Sequence, residues 1–195
     1  MTKRVKFAKF IRIITVPPIL VLSLFIILFF LKDNIFKNIS EFFLSILFLM
    51  LIPVLAYPLA SIIPKYKDRG RDGQRSLAFI LSLVGYAAAI IYGLISHSSN
   101  SLMLIYMTYF LSIVILTVFN KVIKLRASGH ACSITGPLIL LIYLIGWKSV
   151  LPCVIIFALI IWSSLLLKRH TLKEIVTGSL SAMISFAIIL LLFSI

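Results

Sequence analysis

The chain has 195 residues, of which 62% are hydrophobic, and its mean hydropathy is +1.19. Soluble domains are only about half apolar, so this composition excludes a water-soluble globular protein and indicates an integral membrane protein. A formal net charge of +14 would suggest a nucleic-acid-binding protein in a soluble chain. The basic residues instead follow the pattern of membrane topology, so we predict no nucleic-acid partner.

Seven apolar runs approach the roughly 20 residues that a helix needs to cross a bilayer. They lie at 10–31, 39–62, 76–96, 101–123, 130–147, 149–167 and 173–194. Little chain is left for a soluble domain, so we expect one all-α transmembrane domain over 1–195, a polytopic helix bundle of about six to seven spans. The basic start resembles a signal peptide, but its apolar run is too long and lacks a small-residue cleavage site. We interpret it as a retained first span.

The basic residues are distributed unevenly between the two sides of the predicted bundle. With seven spans, sixteen of the nineteen Lys and Arg residues lie before span one, in the loops after spans two, four and six, or at the span ends that adjoin them. The positive-inside rule then places the amino terminus and these loops inside, and the carboxy terminus outside. We therefore expect an inner (cytoplasmic) membrane protein whose basic face is cytoplasmic.

Three polar segments interrupt the apolar runs on this basic side. They are PKYKDRGRDGQRSLAF at 64–79, KLRASGHA at 124–131, and a stretch within 164–178 that contains KRHTLKE. Two spans separate each segment from the next, and two passes through a bilayer return the chain to the same surface. We expect the three segments to form one site.

The first segment carries a candidate anion clamp. Arg71 and Arg75 are four residues apart, so on a helix they share a face and can bind one anion, and Arg69 can add to them. The alternative is a basic loop that sets topology and contacts anionic lipid head groups, with neighbouring aspartates partly neutralising it.

The second segment has the features of a helix start that binds phosphate. Ser128 is a candidate N-cap, Gly129 lets a ligand approach the backbone, and His130 lies in the first turn, where free N–H groups favour an anion. The same three residues are also consistent with a cap and a turn alone.

The third segment allows two interpretations of one carboxylate. His170 and Glu174 are four residues apart, so a continuous helix would let Glu174 hold one ring nitrogen and leave the other free to attack phosphorus. Thr171 and Glu174 also match a capping box, in which the glutamate reaches back to the threonine N–H. A Glu174 committed to the cap would leave His170 without an orienting partner, so we treat the two roles as alternatives.

Taken together, the segments supply the groups needed for phosphoryl transfer through a phosphohistidine. Positive groups hold the phosphate oxygens, one histidine attacks, and the other protonates the leaving oxygen. The sequence has no Asp cluster for Mg²⁺ and no Cys/His set for Zn²⁺. We therefore predict metal-free chemistry with no cofactor.

The order of the segments resembles the type 2 phosphatidic acid phosphatase superfamily of membrane lipid phosphatases. Its pattern is a Lys/Arg-rich motif, then Ser-Gly-His, then an Arg followed six residues later by His and, four further on, by an acidic residue. KLRASGHACSITGP and SSLLLKRHTLKEIVTG are similar to the last two motifs in small bacterial and archaeal members, and the resemblance spans about 67–178. It implies hydrolysis of a lipid phosphate or prenyl mono- or diphosphate.

The resemblance also implies roles for individual residues. His170 would be the nucleophile, Glu174 its orienting carboxylate and His130 the general acid. Phosphate binding would fall to Ser128, Gly129 and Arg75.

Two positions depart from the family pattern. Asp68 stands where the first motif has Lys, and Ser164 stands six residues before His170, where the third motif has Arg. An absent anion clamp removes several kcal/mol of transition-state stabilisation. Arg71, Lys168 and Arg169 are candidate substitutes. A non-catalytic lipid-phosphate binder or translocator, or a structural membrane subunit, are therefore the competing hypotheses.

Overall fold

The computed structural model describes residues 2–193, and these residues form an all-α protein without β-strands. Met1, Ser194 and Ile195, which belong to the predicted domain, lie outside the described residues, as does the last position of the predicted span 173–194. The helices are α1 (Lys3–Ile14), α2 (Pro17–Leu31), α3 (Ile39–Ile62), the single turn α4 (Pro64–Lys67), α5 (Gly70–Ile95), α6 (Asn100–Val122), α7 (Gly129–Ile145), α8 (Trp147–Leu166) and α9 (Leu172–Phe193).

Helix length and composition confirm an integral membrane bundle. Within residues 2–193, five helices are long and apolar enough to cross a bilayer, namely α3, α5, α6, α8 and α9. The bent pair of α1 and α2 makes a sixth if it is counted as one broken span, and α7 is an apolar helix of 17 residues. The prediction of an all-α transmembrane bundle is confirmed, with five or six helices that meet the length and composition of a span among the described residues.

The first predicted span, 10–31, is wrong as a continuous helix. The chain breaks at Thr15 and Val16, and α1 and α2 are bent by 54° relative to each other. Pro17 and Pro18 explain the break, because proline lacks an N–H donor and disfavours the helical region for the residue before it. Val16 is accordingly extended, with φ −62° and ψ 146°. Helix α1 leaves the line of α2 and packs against α8.

The short helix α7 runs between the two ends of the bundle. At a rise of 1.5 Å per residue it is about 25 Å long. His130, in its first turn, lies beside His170, whereas Leu144, near its last turn, lines a surface hollow with Asn34 and Ser101. We call the end with His130 and His170 the motif end, and the end with Asn34 and Ser101 the far end.

Small residues on α9 form the central contact of the bundle with α6 and α7. Its buried face carries Thr177, Gly178, Ser179, Ser181, Ala182 and Ser185. Ser185 donates a hydrogen bond of 2.6 Å to the Thr108 carbonyl of α6, and Thr135 of α7 donates one of 3.0 Å to Ser179. Such residues are typical of interfaces between membrane helices, because small side chains let the backbones approach and hydroxyls bond across them. These contacts hold α9 against α6 and α7 in the middle of the bundle.

Candidate functional site

The Ser-Gly-His turn is a helix start, as its sequence predicts. Ser128 is the N-cap of α7, and its hydroxyl accepts a hydrogen bond of 3.2 Å from the Ala131 N–H. Its own N–H donates to the Glu174 carbonyl at 2.9 Å, which ties the start of α7 to the start of α9. Gly129 is the first helical residue, and His130 follows it half-buried.

Gly178 makes this connection possible. A Cβ at residue 178 would lie 2.2 Å from the Ser128 carbonyl oxygen and 3.1 Å from the Ala131 Cβ. Contacts this short do not occur between a real side chain and a rigid backbone, so α9 reaches the Ser-Gly-His turn only because residue 178 has no side chain.

The side chain of Glu174 fills both roles that the sequence presented as alternatives. The Thr171 N–H donates to Oε2 at 3.1 Å, and the Glu174 N–H donates to the Thr171 hydroxyl at 3.3 Å, which is a capping box. The same Oε2 lies 3.4 Å from Nδ1 of His170. The expectation of exclusive roles is therefore wrong, because one carboxylate oxygen has two lone pairs and accepts from both groups.

The position of His170 differs from the continuous helix that the spacing suggested. Helix α9 begins at Leu172, so His170 precedes the Thr171 cap and sits in the turn after α8. It still reaches Glu174 because the turn folds back over the first turn of α9. Its side chain is 17% exposed, so the imidazole is accessible but mostly desolvated.

The two histidines of the motif end face each other. The ring centroids of His130 and His170 are 6.2 Å apart, and the ring planes differ by 15°. Since Glu174 approaches Nδ1 of His170, the other nitrogen, Nε2, remains available. Two imidazoles at this separation can contact a single bound group from two sides.

A narrow cleft opens beside the two histidines. Its polar part is lined by Ser128, His130, Ser164 and His170, and its apolar wall is made largely by α8, with Phe157, Ile160 and Ile161. The free space is about 10 Å³, room for roughly one water molecule. A larger ligand therefore has to part α7 and α8 or bind at the mouth with only its head group inside.

The predicted phosphate-binding arginines differ in their partners. Arg75 lies 3.8 Å from Asp72 and acts electrostatically on His170, and Arg71 acts on Arg12 of α1. Arg169 is exposed and also acts on Arg12. Arg69 is exposed and reaches the Ser76 hydroxyl at 3.5 Å, so its hydrogen-bonding contact lies on α5.

Two arginines that sequence reasoning did not place in the site belong to it. Arg126 Nε lies 2.9 Å from Oε1 of Glu174, the oxygen that the cap and His170 leave free. Arg12, which the sequence offers only as a topology-setting charge, acts electrostatically on both His130 and His170. Arg126 is two residues before Ser128, a proximity that hinted at its place, whereas no local pattern marks Arg12.

The environment of His170 favours its neutral form. Burial lowers the pKa of its imidazole below the usual value of 6.5, and the charges of Arg12 and Arg75 lower it as well, while the hydrogen bond and charge of Glu174 oppose the shift. A neutral imidazole carries the lone pair that a nucleophile requires. The site thus holds a neutral His170, oriented by a carboxylate, among several positive charges.

Comparisons with known proteins do not identify the site, so its function has to be inferred from the geometry and chemistry of its residues. No protein-family model, curated protein or solved structure matches the chain. Within residues 2–193, no group of three or more His, Cys, Asp or Glu side chains is placed to hold a metal ion. The described residues establish an all-α membrane bundle with a histidine pair, a carboxylate and arginines gathered at one end.

Proposed function

We propose that the protein is an integral membrane phosphatase that hydrolyses a lipid or isoprenoid phosphate or diphosphate through a phosphohistidine at His170. The observation that supports this most strongly is the pair of facing imidazoles, 6.2 Å apart, one of which is held by a carboxylate. This arrangement has a nucleophile, an orienting group and a second proton-transfer group in one place, which covalent phosphoryl transfer requires.

The proposed reaction has two steps. Nε2 of neutral His170 attacks phosphorus, the bond between phosphorus and the ester oxygen breaks, and His130 passes a proton from the bound phosphate monoanion to the leaving oxygen. Water then attacks the phosphohistidine, His130 takes a proton from that water, and the phosphorus–nitrogen bond breaks to release inorganic phosphate. Glu174 stabilises the positive charge that His170 acquires, and the arginines neutralise the phosphate oxygens.

The position of the cleft supports a lipid substrate. Its polar mouth carries the histidines, and its wall of Phe157, Ile160 and Ile161 belongs to the membrane helix α8. A phosphate at the mouth leaves an acyl or isoprenoid chain free to lie against apolar surface. The proposed partners are therefore lipid or prenyl phosphates and the surrounding membrane lipids.

The proposed orientation places the motif end at the cytoplasmic face of the cell membrane. It follows from the excess of basic residues at that end. Five of these residues lie in the first 12 positions, before the motif segments, so phosphate binding by those segments does not account for all of the excess. Reporter tags on each terminus test it, and an external amino terminus would reverse it.

The decisive experiment measures inorganic phosphate release by purified protein in detergent. The substrates are phosphatidate, phosphatidylglycerophosphate and prenyl mono- and diphosphates, each with and without a chelator. We expect chelator-resistant release that His170→Ala reduces by at least about 10³-fold, because the covalent route is lost. His97→Asn is the matched control, since His97 is exposed near the far end and asparagine tolerates its φ of +52°.

The same assay separates the competing hypotheses. Specific binding of a lipid phosphate without release would favour a non-catalytic binder or translocator. Release that survives His170→Ala would contradict the phosphohistidine route and leave the phosphatase activity to another nucleophile.

A further inference from the structure

Arg12 lies in the last turn of α1, outside all three polar segments. Its neighbours Ala8 and Ile11 are fully or almost fully buried, so this face of the helix points into the protein. Helix α1 packs against α8, and the rings of Phe7 and Trp162 are 5.9 Å apart. Because α8 also forms the apolar wall of the cleft, the bend before Pro17 brings Arg12 to the motif end.

The guanidinium of Arg12 has a buried donor with nothing to bind. Its Nη1 atom is shielded from solvent and has no hydrogen-bond partner among residues 2–193. A buried donor without an acceptor destabilises the folded state, and a charged donor does so more strongly. Native structures rarely tolerate such a donor without a reason, and a missing ligand is one of the recognised reasons.

The charges around Arg12 point to the nature of that ligand. The charged groups that act on it are Arg169 and Arg71, both of the same sign, and it acts in turn on His130 and His170. Two carboxylates of the motif end are already paired, Glu174 with Arg126 and Asp72 with Arg75. A multiply charged anion between Arg12 and the histidines would satisfy the donor and offset the repulsion together.

Other buried polar groups in the bundle do not indicate a ligand in this way. The Tyr109 hydroxyl and the Thr108 hydroxyl also have no partner among the described residues, but they lie inside the bundle without a nearby charge that would select a ligand. Arg12 combines an unsatisfied donor, a surplus of positive charge and the neighbourhood of two histidines.

We infer that Arg12 binds the phosphate group of the substrate, reaching the site from α1 while the other phosphate-binding residues come from the three polar segments. This inference rests on the proposed function for the identity of the anion as a phosphate ester. A guanidinium suits the role because its fork of donors matches two phosphate oxygens. Helix α1 then contributes a residue to the binding site.

The test measures thermal unfolding of the full chain in detergent at increasing concentrations of inorganic phosphate, with sodium chloride of matched ionic strength as the blank. The blank is needed because salt alone screens repulsion between arginines. We expect phosphate to stabilise the wild type and Arg12→Gln to raise the half-maximal phosphate concentration at least tenfold. Arg12→Lys should fall between the two, because it keeps the charge and loses the fork.

Arg4→Gln is the matched control, since Arg4 lies on the same helix, is exposed and carries the same charge. It should leave the response to phosphate unchanged.

Without phosphate, Arg12→Gln should unfold at the same temperature as the wild type or higher, because it removes an uncompensated charge. A purely structural arginine would give the opposite result. If Arg12→Gln does not fold, Arg12→Lys decides, and a wild-type response in that variant overturns the inference.

The outcomes separate this inference from the proposed function. A normal phosphate response in Arg12→Gln, together with turnover that depends on His170, would overturn the role of Arg12 and leave the phosphatase intact. An Arg12-dependent phosphate response without turnover of any lipid would support the anion site and overturn the catalytic proposal. A wild type that does not respond to phosphate would overturn the inference directly.

Discussion

Each end of the bundle contains a helix with a glutamate in its first turn, next to the residue that caps the helix. The two glutamates have different partners. At the far end, Asn38 caps α3 by accepting from the Glu41 N–H at 2.9 Å, and Glu41 accepts from the Lys37 N–H at 2.7 Å and from the Ser98 hydroxyl at 2.6 Å. Glu41 is only 1% exposed, and both of its oxygens are used. At the far end, therefore, the carboxylate of Glu41 has a hydrogen-bond donor for each of its oxygens.

At the motif end, the capping glutamate also contacts groups that are not part of the cap. Glu174 serves Thr171 and Arg126, yet it also approaches the imidazole of His170, which faces a second imidazole. The unpaired donor of Arg12 lies nearby. A buried carboxylate with every oxygen satisfied by neutral donors stabilises a fold, whereas one that orients an imidazole beside unneutralised arginines prepares a site for an anion. Under the proposed function, the far-end glutamate is structural and the motif-end glutamate orients the nucleophile.

Replacing each glutamate by glutamine in turn tests most directly whether one is catalytic and the other structural. Glu174→Gln should lower kcat/KM by about 10³-fold, because the amide cannot stabilise the imidazolium that forms on His170. Glu41→Gln should leave turnover unchanged and lower the free energy of unfolding by about 2 kcal/mol, since one buried donor loses its acceptor. Phosphate release and thermal unfolding in the same detergent measure both effects.

The two substitutions also test each other. If Glu41→Gln abolished phosphate release without lowering the unfolding temperature, the far end would belong to the functional site and the contrast would fail. If Glu174→Gln lowered only stability, Glu174 would be a cap alone, and the orienting role would have to be abandoned.

A second prediction concerns the backbone contact that holds the motif end together. Gly178→Ala should lower the free energy of unfolding by about 2 kcal/mol and reduce turnover, because the new Cβ meets the Ser128 carbonyl oxygen and pushes α9 away from the Ser-Gly-His turn. Gly136→Ala is the control in the interior of α7, where a Cβ would meet only Tyr109 Cζ at 4.0 Å. Equal effects of the two substitutions on unfolding and turnover would mean that the close approach at residue 178 is unimportant.

The sequence predicted the helices well because membrane helices depend on local composition. An apolar run of sufficient length has few alternatives in a bilayer, and the predicted span 39–62 coincides with α3. The prediction failed at α1 and α2, where the composition of 10–31 is uniformly suitable for a span. There the steric effect of Pro17 and Pro18 outweighed composition and turned α1 onto α8.

The site was predictable only in part, because local spacing reports contacts within a segment. The four-residue interval from His170 to Glu174 and the Ser128 cap are of this kind. Two spans between segments indicated that the segments share an end of the bundle. The place of Arg12 depends on a bend and on the packing of α1 against α8, and the need for Gly178 depends on how closely α9 approaches α7. No pattern along the chain carries either kind of information.

The smallest predicted effect is a shift in the pH dependence of turnover, which tests whether the charges around His170 set its protonation state. Protonated His170 cannot attack phosphorus, so kcat/KM should fall as the pH decreases through its pKa. That pKa is lowered by burial and by Arg12 and Arg75, so activity should persist below pH 6.5 before it declines. Arg75→Gln removes one lowering charge, and the decline should then begin at a higher pH. Lys148→Gln provides the control, because Lys148 is exposed at the start of α8, away from the motif end. A profile that Arg75→Gln leaves unmoved, or moves toward lower pH, would mean that His170 is not the group whose protonation limits the reaction.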